Sequence, residues 1–289
     1  IPADLFMEEL SEPLDYKPTS SFRSGPDLEA VNQAASVLLD AKRPVIYAGQ
    51  GVHYSQAWQD LKKLAELLEA PVTTSLAGKS AFPENHPLSL GSGGHTYPKA
   101  VNDFLNNSDV VFGIGCSFSH TLFGVPLPTG KKIIHSTLDP DDINRDIDAD
   151  LALVGDAGQV LKALLANISK RLGGNSRNNF NEVTTEIKSV KDKWLGEWMP
   201  KLTSNEIPLT PYRVIWDLMH TADVENTIIT HDSGSPRDQI SPFWESLTPL
   251  SYIGWGKSTQ LGYGLGLAMG AKLSMPDKLC INVWGDAAI

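Results

Sequence analysis

Apolar residues follow two alternating patterns along this chain. Short unbroken runs at 44–48 (Pro44-Val45-Ile46-Tyr47-Ala48), 71–76, 109–115, 132–139 and 151–156 read as strands buried on both faces. Between them, apolar side chains recur every three or four positions and predict amphipathic helices. One carries Leu28, Val31, Ala35, Leu38 and Leu39, with Ser24 as N-cap. A second opens at Ser55 and carries Trp58, Leu61, Leu64, Leu67 and Leu68. A third runs from Tyr97-Pro98 to Asn107, and a fourth, capped by Asp156, carries Val160, Leu161, Leu164, Leu165 and Ile168. Apolar strands separated by helices predict an α/β domain over residues 27–172, a doubly wound parallel sheet.

Residues 1–26 contain Pro2, Pro13, Pro18 and Pro26 and read as an extended connector from a preceding domain. After the polar break at Gly173-Gly174-Asn175, residues 173–209 form a linker and a helix with Val183, Ile187, Val190, Trp194 and Trp198 that stops before Pro200. Thr210-Pro211, an N-cap followed by proline at the first helical position, restarts the pattern. A helix to about Ala222 and strands at Thr227–Thr230 and Leu279–Val283 make residues 210–289 an incomplete second α/β domain. A buried strand next to the last residue expects further strands beside it, so the sequence reads as a piece of a longer protein.

Composition narrows the function classes. The 289 residues carry 34 acidic and 24 basic side chains, a net charge of −10, which argues against a nucleic-acid partner. Cys116 and Cys280 have no paired spacing, which argues against a disulfide framework and a zinc site, and a reducing, cytoplasmic setting is expected. No apolar run approaches the roughly 18 residues of a membrane helix. The seven histidines show no i, i+4 pair, and no Gly-x-Ser-x-Gly nucleophile elbow occurs.

Chemistry is expected beyond the carboxyl ends of the strands. Val283-Trp284-Gly285-Asp286-Ala287-Ala288 places a carboxylate beside small residues whose N–H groups suit a phosphate, an arrangement that makes sense with Mg²⁺ between them. The plain alternative is that Asp286 caps a turn. Gly234 and Ser235, after the strand at 227–230, offer donors to a phosphate or form a simple polar loop. Glycines at 262, 264, 266 and 270 are costly in a helix unless another backbone or a ligand comes very close. Gly256-Lys257-Ser258 is not a P-loop, because position 251 is Ser. Gly49-Gln50-Gly51, Gly113-Ile114-Gly115 and Asp139 are compatible with a nucleotide. Position 54 is Tyr rather than the third fingerprint glycine, which favours packing glycines.

These segments together resemble the thiamine-diphosphate-dependent enzymes of the acetolactate synthase, pyruvate oxidase and oxalyl-CoA decarboxylase group. Residues 283–288 are similar to the opening of that family's Gly-Asp-Gly…Asn cofactor motif, with Ala287 in a glycine place. Thr259-Gln260-Leu261-Gly262-Tyr263-Gly264-Leu265 is similar to its Gly-Thr-Met-Gly-Phe-Gly-Leu segment. Arg43–Gly51, Pro71–Ser75 and Gly78–Pro87 match its central domain, and Ile1-Pro2-Ala3-Asp4 resembles the close of its first domain.

The resemblance implies a 2-oxo acid decarboxylase and carboligase, a transferase of the acetolactate synthase kind, with a related lyase of the oxalyl-CoA decarboxylase kind or a non-catalytic nucleotide-binding module as alternatives. It makes Asp286 a Mg²⁺ ligand, and sets Gly234, Ser235, Gly285, Ala287 and Ala288 around the diphosphate of thiamine diphosphate. Leu261, with Gly262 beside it, becomes the wedge that bends the cofactor, and the Thr259 carbonyl accepts from its aminopyrimidine. The activating glutamate and the second metal-binding residue, an Asn, fall before Ile1 and after Ile289, so the 289 residues alone are expected to be inactive. A homodimer or homotetramer is implied. Gly115-Cys116-Ser117-Phe118 departs from a family Gly-x-Arg-Phe that contacts FAD or ADP. Asp139 and Asp156 keep family positions near such a nucleotide, leaving FAD or ADP open.

Overall fold

The computed structural model describes residues 3–9, 11–13, 15–254, 256 and 260–288. Its first unit is a six-stranded, all-parallel sheet in the order β3-β2-β1-β4-β5-β6. The strands are β1 (Pro44–Ala48), β2 (Val72–Thr74), β3 (Ser89–Ser92), β4 (Val110–Ile114), β5 (Lys132–Thr137) and β6 (Leu151–Val154). The helices are α1 (Leu28–Asp40), α2 (Gly51–Tyr54), α3 (Trp58–Leu68), α4 (Lys99–Asn107) and α5 (Ala157–Leu172). Strand order reverses between β1 and β4, the place where open α/β sheets form a crevice. Every residue of β1 and β4 is buried, as their unbroken apolar runs require.

Helix starts differ from the expected ones in two places. Asp27, not Ser24, caps α1: its carboxylate accepts the Ala30 N–H at 2.8 Å. Pro26 keeps the chain extended up to that point. Ser55 does not open a helix; it closes α2, and its hydroxyl donates to Asp156 Oδ2 at 2.7 Å. The next helix starts at Trp58 without a side-chain cap. Asp156 caps α5 as its position predicts, accepting the Gln159 N–H at 3.2 Å.

Helix α6 (Phe180–Leu202) runs through Pro200 instead of stopping before it. Trp194 stacks on Phe243 at 5.2 Å, and Trp198 meets Tyr212 and Phe243 at 5.1 Å each, so aromatic packing holds the last turns. Ile187 belongs to the core of the first sheet and Leu202 to a second core, so α6 spans both. The second unit contains α7 (Pro211–Thr221), β7 (Thr227–His231), α8 (Ser235–Ile240), β8 (Tyr252–Ile253), α9 (Tyr263–Ser274) and β9 (Leu279–Val283). Thr210 caps α7 by accepting the Arg213 N–H. The three strands are parallel in the order β8-β7-β9, with α9 packed on β7 and β9.

Candidate functional site

In the second sheet His231 pairs with Val283, so the carboxyl ends of β7 and β9 lie side by side. The Asp232 N–H continues the ladder by donating to the Val283 carbonyl at 2.9 Å. Beyond that bond the Asp232 side chain is fully buried, and its two oxygens are spent on backbone. Oδ1 accepts the Ser233 N–H at 2.9 Å and Oδ2 the Gly264 N–H at 3.2 Å. One carboxylate therefore fixes both the loop after β7 and the first turn of α9, where unpaired N–H groups favour negative charge. The Thr230 hydroxyl shares its proton between the Gly264 carbonyl (3.0 Å) and Asn282 Oδ1 (2.9 Å), joining all three segments.

Gly264 is obligatory in this packing. A Cβ there would stand 2.3 Å from Asn282 Oδ1 and 2.8 Å from the His231 carbonyl. By contrast, Gly266 and Gly270 have nothing within 4 Å, so close approach accounts for only one of these helix glycines. Gly262, at φ +80, starts α9 with its Cβ position 3.8 Å from the Ala288 carbonyl, and that of Gly285 lies 3.7 Å from Pro236 Cγ. Residues 234–236, 262–264 and 285–288 thus form one surface patch.

The expected site residues fall on this patch. Gly234 (φ +82), Ser235, Gly262, Asp286 and Ala287 are exposed, and Gly285 is half-buried. Asp286 opens a single turn, Asp286–Ala288, and its Oδ1 accepts the adjacent Ala287 N–H at 2.9 Å, leaving the carboxylate open to solvent. Ala288 is buried, and its N–H donates to the Gly285 carbonyl, so it supports the turn from below. Leu261 is 53% exposed, a large apolar side chain at the mouth of the patch. Thr259 lies outside the described residues.

Beneath the patch, His231 Nε2, Tyr252 OH and Asn282 Nδ2 are buried and have no hydrogen-bond partner among the described residues. Burial, partly opposed by the hydrogen bond to the Asp232 carbonyl, lowers the His231 pKa to about 4. The neutral ring donates from Nδ1 to that carbonyl at 3.0 Å, which leaves Nε2 a bare acceptor against Gly254. Burial likewise raises the Tyr252 phenol well above its ordinary value. Sequence alone assigns neither Asp232 nor His231 a role; the available signal is an ionisable pair at the carboxyl end of β7. Among the described residues, no group of three or more His, Cys, Asp or Glu side chains could hold a metal ion. A cation at Asp286 therefore needs ligand oxygens as well, the arrangement Mg²⁺ favours with phosphates.

The first sheet has its own cleft at the β1/β4 reversal, about 460 Å³, bordered by Gly49–Gly51, Gly115–Phe118, Leu138 and Asp139. Its glycines are packing glycines. A Cβ on Gly49 would lie 2.3 Å from the Gly115 carbonyl, and one on Gly113 2.2 Å from the Phe118 ring. Asp139 borders the cleft while capping the turn at Pro140–Asp142. Asp156 is not part of its wall, because its carboxylate caps α5 and binds Ser55.

Comparison with known proteins gives two family matches: the thiamine pyrophosphate enzyme central domain over residues 31–164, and the thiamine pyrophosphate enzyme C-terminal TPP binding domain over residues 232–289. The probable acetolactate synthase large subunit of Methanococcus aeolicus is 34% identical over 267 residues, 89% of this chain and 44% of that protein. The sulfoacetaldehyde acetyltransferase of Rhodobacter capsulatus is 28% identical over 311 residues, 100% of this chain and 51% of that protein. The chain thus spans about half the length of the curated relatives it matches. In fold it is similar to the benzoylformate decarboxylase of Polynucleobacter necessarius, with a TM-score of 0.71 at 24% identity over 97% of this chain and 50% of that one.

Proposed function

The chain belongs to the thiamine pyrophosphate enzymes, and on that premise we propose that it supplies the central domain and the cofactor-binding half of an acetolactate-synthase-like carboligase acting on small 2-oxo acids. The observation that carries this reading is the convergence of residues 234–236, 262–264 and 285–288 on one patch, pinned from below by the Asp232 carboxylate.

The residues present fit the diphosphate end of the cofactor. Exposed backbone at Gly234 and Ser235 offers N–H donors without side-chain obstruction; the Ala287 N–H is held by Asp286 Oδ1, and the solvent-facing Asp286 carboxylate would suit a hard cation such as Mg²⁺. Leu261 supplies an apolar contact for the body of the cofactor. Bound there, thiamine diphosphate supplies the electron sink needed to cleave the bond beside a 2-oxo acid carbonyl. The role of this chain is to hold and orient: Asp232 and Thr230 fix the start of α9 against both strand ends, so the patch is preorganised.

A homodimer or homotetramer is part of the proposal, supported by the apolar face that α9 presents, with Met269 60% and Leu273 84% exposed. A cytoplasmic setting fits two free cysteines, and no described helix is long and apolar enough to cross a membrane. The central cleft is the place proposed for FAD or ADP. Its size suits a nucleoside, and Arg145, bonded to its wall residues Ser119 and Asp142, stands beside it. The reading is tested with the full-length protein: turnover of pyruvate should require both thiamine diphosphate and Mg²⁺, and turnover unaffected by omitting either would refute it.

A further inference from the structure

The central cleft carries acidic side chains and no basic counterpart. Among its described wall residues Asp139 and Asp142 are the carboxylates, and no Lys or Arg stands with them. Arg145 lies beside the wall, but its guanidinium is already shared. It pairs with Asp142 Oδ1 at 2.7 Å, lies 3.9 Å from Asp146 Oδ2 and donates to the Ser119 hydroxyl. Two carboxylates around one guanidinium leave no positive charge over for an anionic ligand.

Backbone donors do not make up the deficit. In a phosphate cradle the N–H groups of a glycine turn point at the anion. Here the Gly49 N–H donates to the Ile114 carbonyl at 2.9 Å, the Gly51 N–H to the Gly115 carbonyl at 2.8 Å, and the Gly115 N–H to the Ser136 carbonyl at 2.9 Å. The glycines of both turns thus spend their donors on the protein itself. Helix α2, which follows the first turn, has only four residues and adds little dipole.

The rest of the wall suits the other end of a nucleotide. Phe118, Val125, Leu127 and Leu138 offer apolar surface to a base. Asp139 Oδ1 accepts the Asp141 N–H at 3.0 Å, while Oδ2 makes no hydrogen bond among the described residues and is open to a sugar hydroxyl.

We propose that the central cleft recognises a nucleoside and gives nothing to its phosphates, so that adenosine binds more tightly than AMP, and AMP more tightly than ADP. This rests on the reading of the cleft as the place for FAD or ADP and narrows it: either ligand is held by its adenosine end, and each added phosphate works against the wall carboxylates.

The test is calorimetric titration of the full-length protein with adenosine, AMP and ADP. EDTA is present so that no cation bridges phosphate to carboxylate, and AMP and ADP are also competed against bound adenosine so that one site is read. Adenosine is expected to bind at least threefold tighter than ADP, and added salt should narrow that gap by screening. Leu138→Arg, at a wall position 63% exposed, supplies the missing cation and should reverse the order. ADP binding within threefold of adenosine, or more tightly, in the wild type overturns the proposal and leaves the cleft a nucleotide site. An adenosine-to-ADP ratio unchanged in Leu138→Arg overturns it too. Binding of none of the three removes the nucleotide reading of the cleft, and the proposal with it.

Discussion

Glu84 and Ser246 hold each other by two hydrogen bonds across the junction between the two units. The Glu84 N–H donates to the Ser246 carbonyl at 3.0 Å, and the Ser246 N–H donates to Glu84 Oε2 at 2.7 Å. The same carboxylate accepts from the Ser92 hydroxyl and from Lys79, whose ammonium lies 5.2 Å from the centre of the Tyr252 ring. Tyr252 pairs with Ile229 next to the strand end that carries Asp232, so a buried polar cluster links the first sheet to the floor of the cofactor patch.

Breaking that cluster from one side is expected to be expensive. Glu84→Ala strands a Lys79 side chain that is 1% exposed, and removal of one partner of a buried pair costs about 3–5 kcal/mol. Urea unfolding should show that loss for Glu84→Ala and a smaller one for the double change Lys79→Met with Glu84→Leu. Equal losses would mean that the stranded charge is not what matters.

The neutrality of His231 predicts an acid sensitivity. Its folded pKa, about 4, lies below the unfolded value near 6.5, so the unfolded chain binds the proton more readily. The stability it contributes is complete above about pH 6.5 and is lost as the pH falls toward 4, on the order of 3 kcal/mol in all. Unfolding free energies measured between pH 7.5 and 4.5 should fall less steeply for His231→Asn than for the wild type. Parallel slopes would remove His231 from the account.

The glycines of α9 should separate sharply. Gly264→Ala drives a Cβ into Asn282 Oδ1 and the β7 backbone, and should lower the melting temperature and abolish cofactor binding. Gly266→Ala and Gly270→Ala fill open space in a helix and should each stabilise the 289-residue chain by about 0.5–1 kcal/mol. Thermal melts of the three variants check this, and similar behaviour in all of them would contradict it.

Leu261 should matter to the ligand and not to the fold. Because its side chain is 53% exposed, Leu261→Ala should change unfolding free energy by no more than about 0.5 kcal/mol. Thiamine diphosphate affinity of the full-length protein should nonetheless fall severalfold, as read by calorimetry. An unchanged affinity would assign Leu261 no part in binding.

Most of the sheet architecture is legible because it rests on local pattern. The runs at 44–48, 109–115 and 132–139 hold β1, β4 and β5, buried but for Lys132, whereas the run at 151–156 gives the edge strand β6, whose Ala152 and Val154 are exposed instead of buried because no strand follows it in the sheet order. What escaped is short or polar: β3, with Ser89, Gly91 and Ser92 among its four residues; the two-residue β8; and α8, which has Pro236, Arg237 and Asp238 in its first turns. Helix starts shifted where a nearer or better-placed side chain took the cap, as Asp27 did, or where long-range bonding claimed the residue, as Asp156 claimed Ser55. The glycine segments and Asp286 could be named from the chain alone, but the contacts that join them could not. Asp232 to Gly264 and Thr230 to Asn282 span 32 and 52 residues, and only the parallel pairing of β7 with β9 brings them together.

Asp286 gives the most direct test. Because its carboxylate is exposed and bonds only the neighbouring Ala287 N–H, Asp286→Asn should leave the fold intact. In titrations of the full-length protein, wild type should bind thiamine diphosphate only when Mg²⁺ is present, and Asp286→Asn should weaken that binding at least tenfold. Binding that is as tight in the variant as in the wild type, and unchanged when Mg²⁺ is chelated, would contradict the account.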